Sequence, residues 1–336
     1  MKRPLRVAIN GYGRIGRHVL RAWYERGLSD QVQIVAINDL ADAQTLAHLT
    51  RYDSTHGRFA GVVEVEDDHL LIAQQRIQVL SQPMPAALPW ALLNVDVVLE
   101  CTGRFRARAE AAQHLSAGAG RVVIGAAPFD RVDALIVQGI NEAQLRPEHR
   151  VISSVSCTTH ALMPLLLVLE AALGLESVMF TEVHAQTSDQ PTLDHVHRDL
   201  RRARASGHNI VPTSTSALAA VRQLLPDLAI EGHSLRVPTL VVAAVELNVC
   251  GRRTLSEAAL NQCFLAASQE AYAGILGYTD EPLVSSDFIH QPWSCVFDAT
   301  QTRRIGQQTR VLAWYDNEWG YANRLLELVQ VMAAHR

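Results

Sequence analysis

The stretch SVSCTTH, residues 154–160, places one cysteine among hydroxyl side chains directly before a long apolar run. That run predicts a helix over 159–174, so Cys157 is expected near a helix N-terminus, where backbone N–H groups and the helix dipole stabilise a thiolate. The flanking Ser156 and Thr158 argue against an inert apolar pocket and add donors for an oxyanion or a phosphate. Cys157 is therefore the candidate nucleophile.

A thiol nucleophile needs a base, and the fourteen histidines of the chain cannot be ranked by residue type alone. His184 is favoured because it lies in the strand-like segment TEVHAQT, just after the Cys157 helix, so that helix and strand can bring the two side chains together. A histidine on a strand is often only a core residue, and four rivals stay open: His56, His195, His197 and His290.

Anion binding is expected from polar residues at the ends of predicted elements, Thr187, Thr215 and Arg236. A basic run, RDLRRAR, contributes Arg202 and its neighbours, and the planar guanidinium group suits phosphate. The same run is equally consistent with a solvated face or a contact between subunits.

The segment GYGRIG gives Gly11, Gly13 and Gly16 the G-x-G-x-x-G spacing of a dinucleotide-binding turn. The first glycine allows the tight turn, the second lets the backbone approach a pyrophosphate, and the third lets helix and strand pack closely. The turn follows an apolar strand pattern, and Asp39 ends the next one, where its carboxylate can bind a ribose diol. Because an acidic residue disfavours a 2′-phosphate, NAD is preferred to NADP.

The first half of the chain alternates apolar strand patterns with helical patterns, which is typical of a doubly wound α/β domain. The predicted buried strands cover 5–9, 33–38, 95–103 and 121–128. Helical spacing of apolar residues after the glycine turn continues to Gly27, a natural end for a helix.

Beyond about residue 150 the patterns become longer and partly alternating, at 177–187 and 234–249, as in an antiparallel sheet covered by helices on one face. Three helices are predicted there, over 159–174, 215–226 and 256–271. The fold class is thus α/β: an N-terminal Rossmann domain followed by an α+β domain with a mainly antiparallel sheet. The polar segment 188–209 is too long for an ordinary connection and indicates a functional loop or an intersubunit arm.

Composition excludes several classes of protein. The net charge of −4 provides no basic field for nucleic acid or an anionic membrane, and no apolar run approaches the roughly 20 residues that span a bilayer. The five cysteines are odd in number and contain no C-x-x-C pair, which argues against disulfides and a thiolate metal site. The start of the chain leaves no room for a signal peptide. A cytoplasmic protein without a metal is expected.

A series of motifs, in chain order, resembles the phosphorylating glyceraldehyde-3-phosphate dehydrogenase family. They are INGYGRIGR, NDL, YDSTHGRF, SCTT, DLRRARA, IVPTST, RVPT, GYTDEPLVSSDF and WYDNEWGYANR. The resemblance runs from residue 5 to about residue 328. It implies an NAD-binding domain over 1–152, completed by a C-terminal helix 321–336, a catalytic domain over 153–320, and a homotetramer in which 185–209 reaches a neighbouring subunit.

The resemblance also implies a role for each matching residue. Cys157 would attack the aldehyde while His184 takes its proton, hydride would pass to NAD, and phosphate would cleave the resulting thioester. The matching phosphate-site residues are Ser156, Thr158, Thr187, Arg202, Thr215, Ser216 and Arg236. The matching cofactor residues are Gly11, Gly13, Arg14, Ile15, Gly16, Asp39, Thr102 and Asn317.

Several positions depart from the family pattern, and Glu182 is the departure nearest the proposed base. It replaces a usual Thr, and because residues 182 and 184 face the same side of a strand, its carboxylate is expected to raise the pKa of His184. The other departures are His160, Ala161, Gln186, Gly125 and Pro83. They put rate, substrate and cofactor affinity in question.

Three other interpretations stay open at this level. The first is the sister enzyme erythrose-4-phosphate dehydrogenase, which hydrolyses the thioester and which the chain resembles at LADA, LPW and ATQTR. The second is a catalytically impaired NAD-binding paralogue. The third is a Cys/His hydrolase or acyltransferase, a class that has no need of GYGRIG or Asp39.

Overall fold

The computed structural model describes residues 3–334, and they form two compact units. One unit contains the described residues up to Ser156 together with those from Ala322 onward, and the other is Cys157–Tyr321. Each unit is built around its own sheet, as the sequence patterns predict for an α/β domain followed by an α+β domain.

The first unit alternates strands and helices from its start. Its helices are α1 (Arg14–Glu25), α2 (Ala43–Arg51), α3 (Arg108–Ala111) and α4 (Gln113–Ser116). Its strands are β1 (Leu5–Asn10), β2 (Val32–Asn38), β3 (Tyr52–Asp53), β4 (Gly57–Arg58), β5 (Val63–Glu66), β6 (His69–Ile72), β7 (Gln75–Leu80), β8 (Val97–Glu100), β9 (Arg121–Ile124), β10 (Ala134–Leu135) and β11 (Val151–Ser153). The four predicted strands correspond to β1, β2, β8 and β9.

Nine of these strands form one sheet in the order β10-β11-β9-β8-β1-β2-β7-β6-β5, parallel except where β6 pairs with β7 and β5. β1 lies between β2 and β8, so the direction of winding reverses at its carboxyl end. In open α/β sheets, ligands bind beyond the strand ends at such a reversal. The glycine turn follows β1 directly, and α1 ends just before Gly27, which adopts φ 60°.

The second unit holds the other main sheet. Its helices are α5 (Cys157–Leu173), α6 (Ala217–Leu224), α7 (Glu257–Gln269) and the start of α8 (Trp319–Ala334). Its strands are β12 (Leu175–Ala185), β13 (Val211–Thr213), β14 (Ile230–Val237), β15 (Ala243–Gly251), β16 (Leu276–Thr279), β17 (Cys295–Asp298), β18 (Arg303–Ile305) and β19 (Gln308–Tyr315). The predicted helices are confirmed as α5, α6 and α7.

The second sheet runs in the order β13-β14-β12-β15-β19-β17-β16, with β18 paired to β19. Most pairs are antiparallel, but β12 pairs with β14 in parallel, as does β16 with β17. The single pattern predicted over 234–249 is two strands, because Pro238 cannot donate to a ladder and the chain turns before β15. The predicted C-terminal helix 321–336 begins at Trp319, and residues 335–336 lie outside the described part.

The polar segment 188–209 contains neither helix nor strand and is held by its own turns. His195 N donates to Ala203 O at 2.9 Å, and Asp194 pairs with Arg204 at 2.9 Å. Within residues 3–334, every helix is too short or too polar to pass through a bilayer.

Candidate active site

A strained turn leads into the proposed nucleophile. β11 ends at Ser153 and α5 begins at Cys157. Between them Val155 adopts φ 45°, a left-handed conformation that is unfavourable for a β-branched residue. The Val155 N–H donates to the Ser153 hydroxyl at 2.9 Å, which holds the turn. The chain therefore bends sharply before Cys157, which becomes the first residue of its helix.

The structure brings Cys157 and His184 together. Cys157 Sγ lies 3.7 Å from His184 Nε2. His184 Nδ1 lies 2.7 Å from the carbonyl oxygen of Ala185, which only accepts, and 3.2 Å from Arg236 Nη1, which only donates. The shorter contact favours the tautomer with the hydrogen on Nδ1. The lone pair of Nε2 then faces the sulfur, as a proton acceptor requires.

The rival histidines on the polar segment have other partners. His195 Nδ1 lies 3.2 Å from Val196 O, and His197 Nδ1 accepts from the Asp199 N–H at 2.9 Å. Both contacts are local to the turns of 188–209. The contact with the thiol, at 3.7 Å, is made by His184.

Burial opposes ionisation of the thiol. It raises the pKa of Cys157 to about 12, and the negative charge of Glu182 adds to the effect. The prediction that the helix N-terminus stabilises a thiolate is therefore wrong for the free protein, because desolvation outweighs the favourable N–H groups and dipole. Near neutral pH, Cys157 is therefore a thiol in the free protein.

The pKa of His184 is lowered, again chiefly by burial. The Arg236 guanidinium is the next cause, with Nη1 3.2 Å from Nδ1, and it opposes a positive imidazole. Glu182 acts in the opposite direction but does not prevail. The expectation that Glu182 leaves the histidine with a raised pKa is thus wrong, and His184 is neutral near pH 7.

Sheet register places an anion-binding pair beside this imidazole. In the parallel pairing of β12 with β14, His184 is opposite Arg236. Arg236 Nη1 donates to the Thr187 hydroxyl at 3.2 Å, and that hydroxyl donates to Asp189. Thr187 and Arg236 therefore offer a hydroxyl and a guanidinium next to the proposed base.

Two of the remaining candidate phosphate-binding residues, Thr215 and Arg202, already form hydrogen bonds within the protein. Thr215 Oγ1 accepts from the Ala217 N–H at 3.3 Å at the start of α6. Ser216 occupies the N-cap position of that helix, and among the described residues its side chain makes no capping hydrogen bond. Each nitrogen of Arg202 donates within the unit: Nη1 to Asp189 at 2.7 Å, and Nε and Nη2 to Thr213 Oγ1 and Ser214 O. A phosphate at Arg202 would compete with these partners.

The glycine turn of the first unit has the space and the packing that a pyrophosphate site requires. A Cβ on Gly11 would lie 2.6 Å from Thr102 N, and one on Gly16 would lie 2.2 Å from Gly11 O. At Gly13, apart from its two chain neighbours, no heavy atom of the described residues lies within 4 Å of a Cβ, so this side of the turn is open. Gly13 is the N-cap of α1, and within residues 3–334 no side chain caps that helix. These residues fit an anionic dinucleotide.

The other proposed cofactor residues of this unit surround the same strand ends. Asp39 Oδ2 accepts from the Tyr12 N–H at 2.8 Å, which ties the turn to the end of β2. Thr102 donates to Glu100 through its N–H at 2.8 Å and through its hydroxyl. Arg14 pairs with Asp53 through its guanidinium, and Ile15 follows it in the first turn of α1. Asn317 belongs to the second unit, where it is buried.

Sequence reasoning missed two residues at the site. Tyr315 stands 2.9 Å from the Thr158 hydroxyl, and Asp189 accepts from both Thr187 and Arg202. Tyr315 belongs to the motif WYDNEWGYANR, so that motif could have directed attention to it. Asp189 lies among several acidic residues of a polar segment, and nothing in its sequence context distinguishes it.

The chain matches both domains of one sequence family. Residues 5–108 match "Glyceraldehyde 3-phosphate dehydrogenase, NAD binding domain", and residues 156–317 match the C-terminal domain of the same family. A glyceraldehyde-3-phosphate dehydrogenase of Xanthobacter flavus is 48% identical over 331 residues, 98% of each chain. The chromosomal glyceraldehyde-3-phosphate dehydrogenase of Cupriavidus necator is 48% identical over 334 residues, 99% of each chain. A glyceraldehyde-3-phosphate dehydrogenase of Pseudomonas aeruginosa is 47% identical over the same length.

Proposed function

Since the chain belongs to the glyceraldehyde-3-phosphate dehydrogenase family of NAD-dependent oxidoreductases, we propose that it oxidises D-glyceraldehyde 3-phosphate in the presence of phosphate to 1,3-bisphosphoglycerate. The reaction would belong to glycolysis and gluconeogenesis. The observation that carries the proposal is the 3.7 Å approach of Cys157 Sγ to Nε2 of His184. A thiol so placed can lose its proton as its sulfur attacks an aldehyde carbon.

The two catalytic residues divide the proton transfers between them. His184 Nε2 takes the thiol proton while the Cys157 sulfur forms a thiohemiacetal, and the resulting imidazolium stabilises the new oxyanion with the Cys157 N–H. Loss of hydride then leaves a thioester on Cys157. NAD, when bound, supplies the hydride acceptor. The thioester keeps the energy of oxidation until phosphate displaces the sulfur.

Two anion sites would orient the phosphates. Thr187 and Arg236 bind the substrate phosphate beside His184, as their mutual 3.2 Å contact supports. The attacking phosphate would use hydroxyls of the SCTT segment and of the start of α6, namely Ser156, Thr158, Thr215 and Ser216, with Arg202 nearby. Separate sites let one phosphate hold the substrate while the other reacts.

In the first unit, the pyrophosphate of NAD would lie against the backbone of Gly11, Gly13 and the first residues of α1, Arg14 and Ile15. Asp39 would bind the ribose diol, and its negative charge disfavours a 2′-phosphate. Thr102 and, in the second unit, Asn317 complete the proposed cofactor residues. We assign the pyrophosphate and ribose diol of NAD to the first unit and catalysis to the second.

Substitutions in the glycine turn should separate packing from cofactor binding. Gly13→Ala should lower the stability of the free protein by only about 0.5 kcal/mol, the cost of alanine at an N-cap, because its Cβ would meet no heavy atom of the described residues within 4 Å apart from its chain neighbours. The same methyl should weaken NAD binding at least about tenfold, since it would occupy the approach of the pyrophosphate. Gly16→Ala is the matched contrast: its Cβ overlaps Gly11 O, so the free protein should lose about 1–3 kcal/mol of stability. Calorimetric titration with NAD and thermal melts would show both effects, and unchanged NAD affinity in Gly13→Ala would contradict the assignment.

A second candidate, oxidation of D-erythrose 4-phosphate with hydrolysis of the thioester, is favoured by one specific observation. Two residues of the proposed attacking-phosphate site are already committed: Thr158 donates to Glu182, and Arg202 donates to Asp189. A site that binds phosphate weakly would leave the thioester to water, giving 4-phosphoerythronate. The raised pKa of Cys157 would instead favour a third, weaker candidate, an NAD-binding relative with impaired turnover.

NADH formation decides among these functions. The purified protein is supplied with NAD and either glyceraldehyde 3-phosphate or erythrose 4-phosphate, each with and without inorganic phosphate. Turnover of the triose that depends on phosphate is the expected result. Turnover of the tetrose without phosphate would assign the second function, and bound NAD without turnover of either sugar would assign the third.

We also propose that the protein is a cytoplasmic homotetramer. The segment 188–209 and the residue that follows it expose large apolar side chains, as an intersubunit arm would: Leu193, Val196, Leu200 and Ile210. Five free cysteines suit a reducing compartment. Light scattering on the purified protein would give the mass of the assembly, and a monomer would contradict this proposal.

A further inference from the structure

A buried carboxylate lies behind the Cys157–His184 pair. Glu182 is 1% exposed, and its Oε1 accepts from the Thr158 hydroxyl and from Tyr315 OH, the latter at 3.2 Å. The same oxygen lies 4.0 Å from His184 Nε2. Glu182 thus contacts the residue that follows the nucleophile and stands close to the nitrogen that receives the proton.

The groups around Glu182 keep it ionised. Its pKa is lowered despite burial, first by His184 when the imidazole is positive, then by the Arg236 guanidinium and the Thr158 hydroxyl. The last two act while the imidazole is neutral as well. The titratable groups that face this cluster are the Cys157 thiol on α5, Tyr315 on β19, and Glu318, whose negative charge acts to raise the pKa of His184. Arg236 is the one fixed cation among these groups, so the carboxylate and the guanidinium offset each other.

A second anion in this cluster is unfavourable. Thr158 contacts both the Glu182 carboxylate and the Cys157 sulfur. Its hydroxyl donates to Glu182 and lies 3.8 Å from Cys157 Sγ. A thiolate would add negative charge near a buried carboxylate, where charges interact strongly. Once the thiol proton is on His184, however, the same carboxylate attracts the positive imidazole 4.0 Å away.

We propose that Glu182 is a positioning residue that holds Cys157 as a neutral thiol in the resting protein and stabilises the imidazolium of His184 after proton transfer. The inference rests on the proposed roles of Cys157 and His184. Its consequence is that the free protein reacts slowly with electrophiles, while a bound aldehyde can still draw the sulfur into attack. The family resemblance places Thr at this position, so the device is a feature of this chain.

Alkylation by iodoacetamide tests the proposal without any substrate or cofactor. In this step the thiolate sulfur forms a bond to carbon and iodide leaves, so the rate follows the fraction of thiolate. Glu182→Gln should move the midpoint of the rate–pH profile down by about one pH unit. At pH 7 the rate should rise about three- to tenfold, because more thiolate forms but each thiolate is a weaker nucleophile.

Glu176→Gln is the matched control, since Glu176 is an exposed residue of the same strand and the change in charge is identical. Its profile should match that of the wild type. Glu182→Thr introduces the residue that the family usually has, and it should shift the midpoint of the alkylation profile as Glu182→Gln does. If the glutamine variant does not fold, the threonine variant provides the test of the proposal.

An unshifted midpoint in a Glu182 variant that unfolds cooperatively would overturn the proposal, as would an equal shift in Glu176→Gln. A purely structural role would change the melting temperature and leave the midpoint in place. Alkylation requires no turnover, so a protein inactive toward both sugars would overturn the proposed function and leave this test intact.

Discussion

Cys157→Ser should abolish aldehyde oxidation, lowering kcat by about 10⁴-fold or more. A serine hydroxyl is a much weaker nucleophile than a thiol, and without the Cys157 sulfur no thioester intermediate can form. Burial makes the loss severe, since the site already raises the pKa of a thiol to about 12 and would disfavour an alkoxide even more strongly. The measurement is NADH formation with the preferred sugar phosphate.

The control for this substitution is Cys263→Ser, which changes a free cysteine on α7 in the same unit. It should retain wild-type activity. NAD binding should survive in Cys157→Ser, because the dinucleotide residues of the first unit are unchanged. Turnover above about one hundredth of the wild-type rate in Cys157→Ser would show that another group forms the covalent intermediate.

His184→Asn should lower kcat about 10²- to 10⁴-fold, because it removes the acceptor of the thiol proton. Asparagine keeps a polar side chain of similar size but cannot act as a base near neutral pH. His233→Asn is the matched control: His233 is an exposed histidine of β14, the strand that pairs with β12. Equal losses in both variants would show that the His184 effect is structural.

The pH dependence of kcat/KM should report the same group. His184 has a lowered pKa, so its neutral form persists to a more acidic pH than that of an ordinary histidine. Wild-type activity should therefore be complete at pH 7 and fall only below about pH 6.5. In His184→Asn this acid limb of the profile should vanish. If the variant kept an acid limb with the same midpoint, the titrating group would be another residue.

Sequence alone was sufficient wherever neighbouring residues determine the structure. The three glycines of GYGRIG, the strand before them and the helix after them are contiguous, so the dinucleotide turn could be predicted from local spacing. The apolar run after SCTT likewise placed Cys157 at the start of α5. The period of two along a strand put Glu182 and His184 on one buried face of β12.

The charge balance at Cys157 was decided by tertiary structure alone. Arg236 meets His184 only because β14 pairs with β12 in parallel, and Tyr315 reaches Glu182 from 133 residues away. The sequence predicted a thiolate at Cys157 and a raised pKa at His184, and burial reverses both. Desolvation depends on every group packed around a site, and Coulomb energy on distances across strands, so neither quantity can be read from residues that are neighbours in the chain.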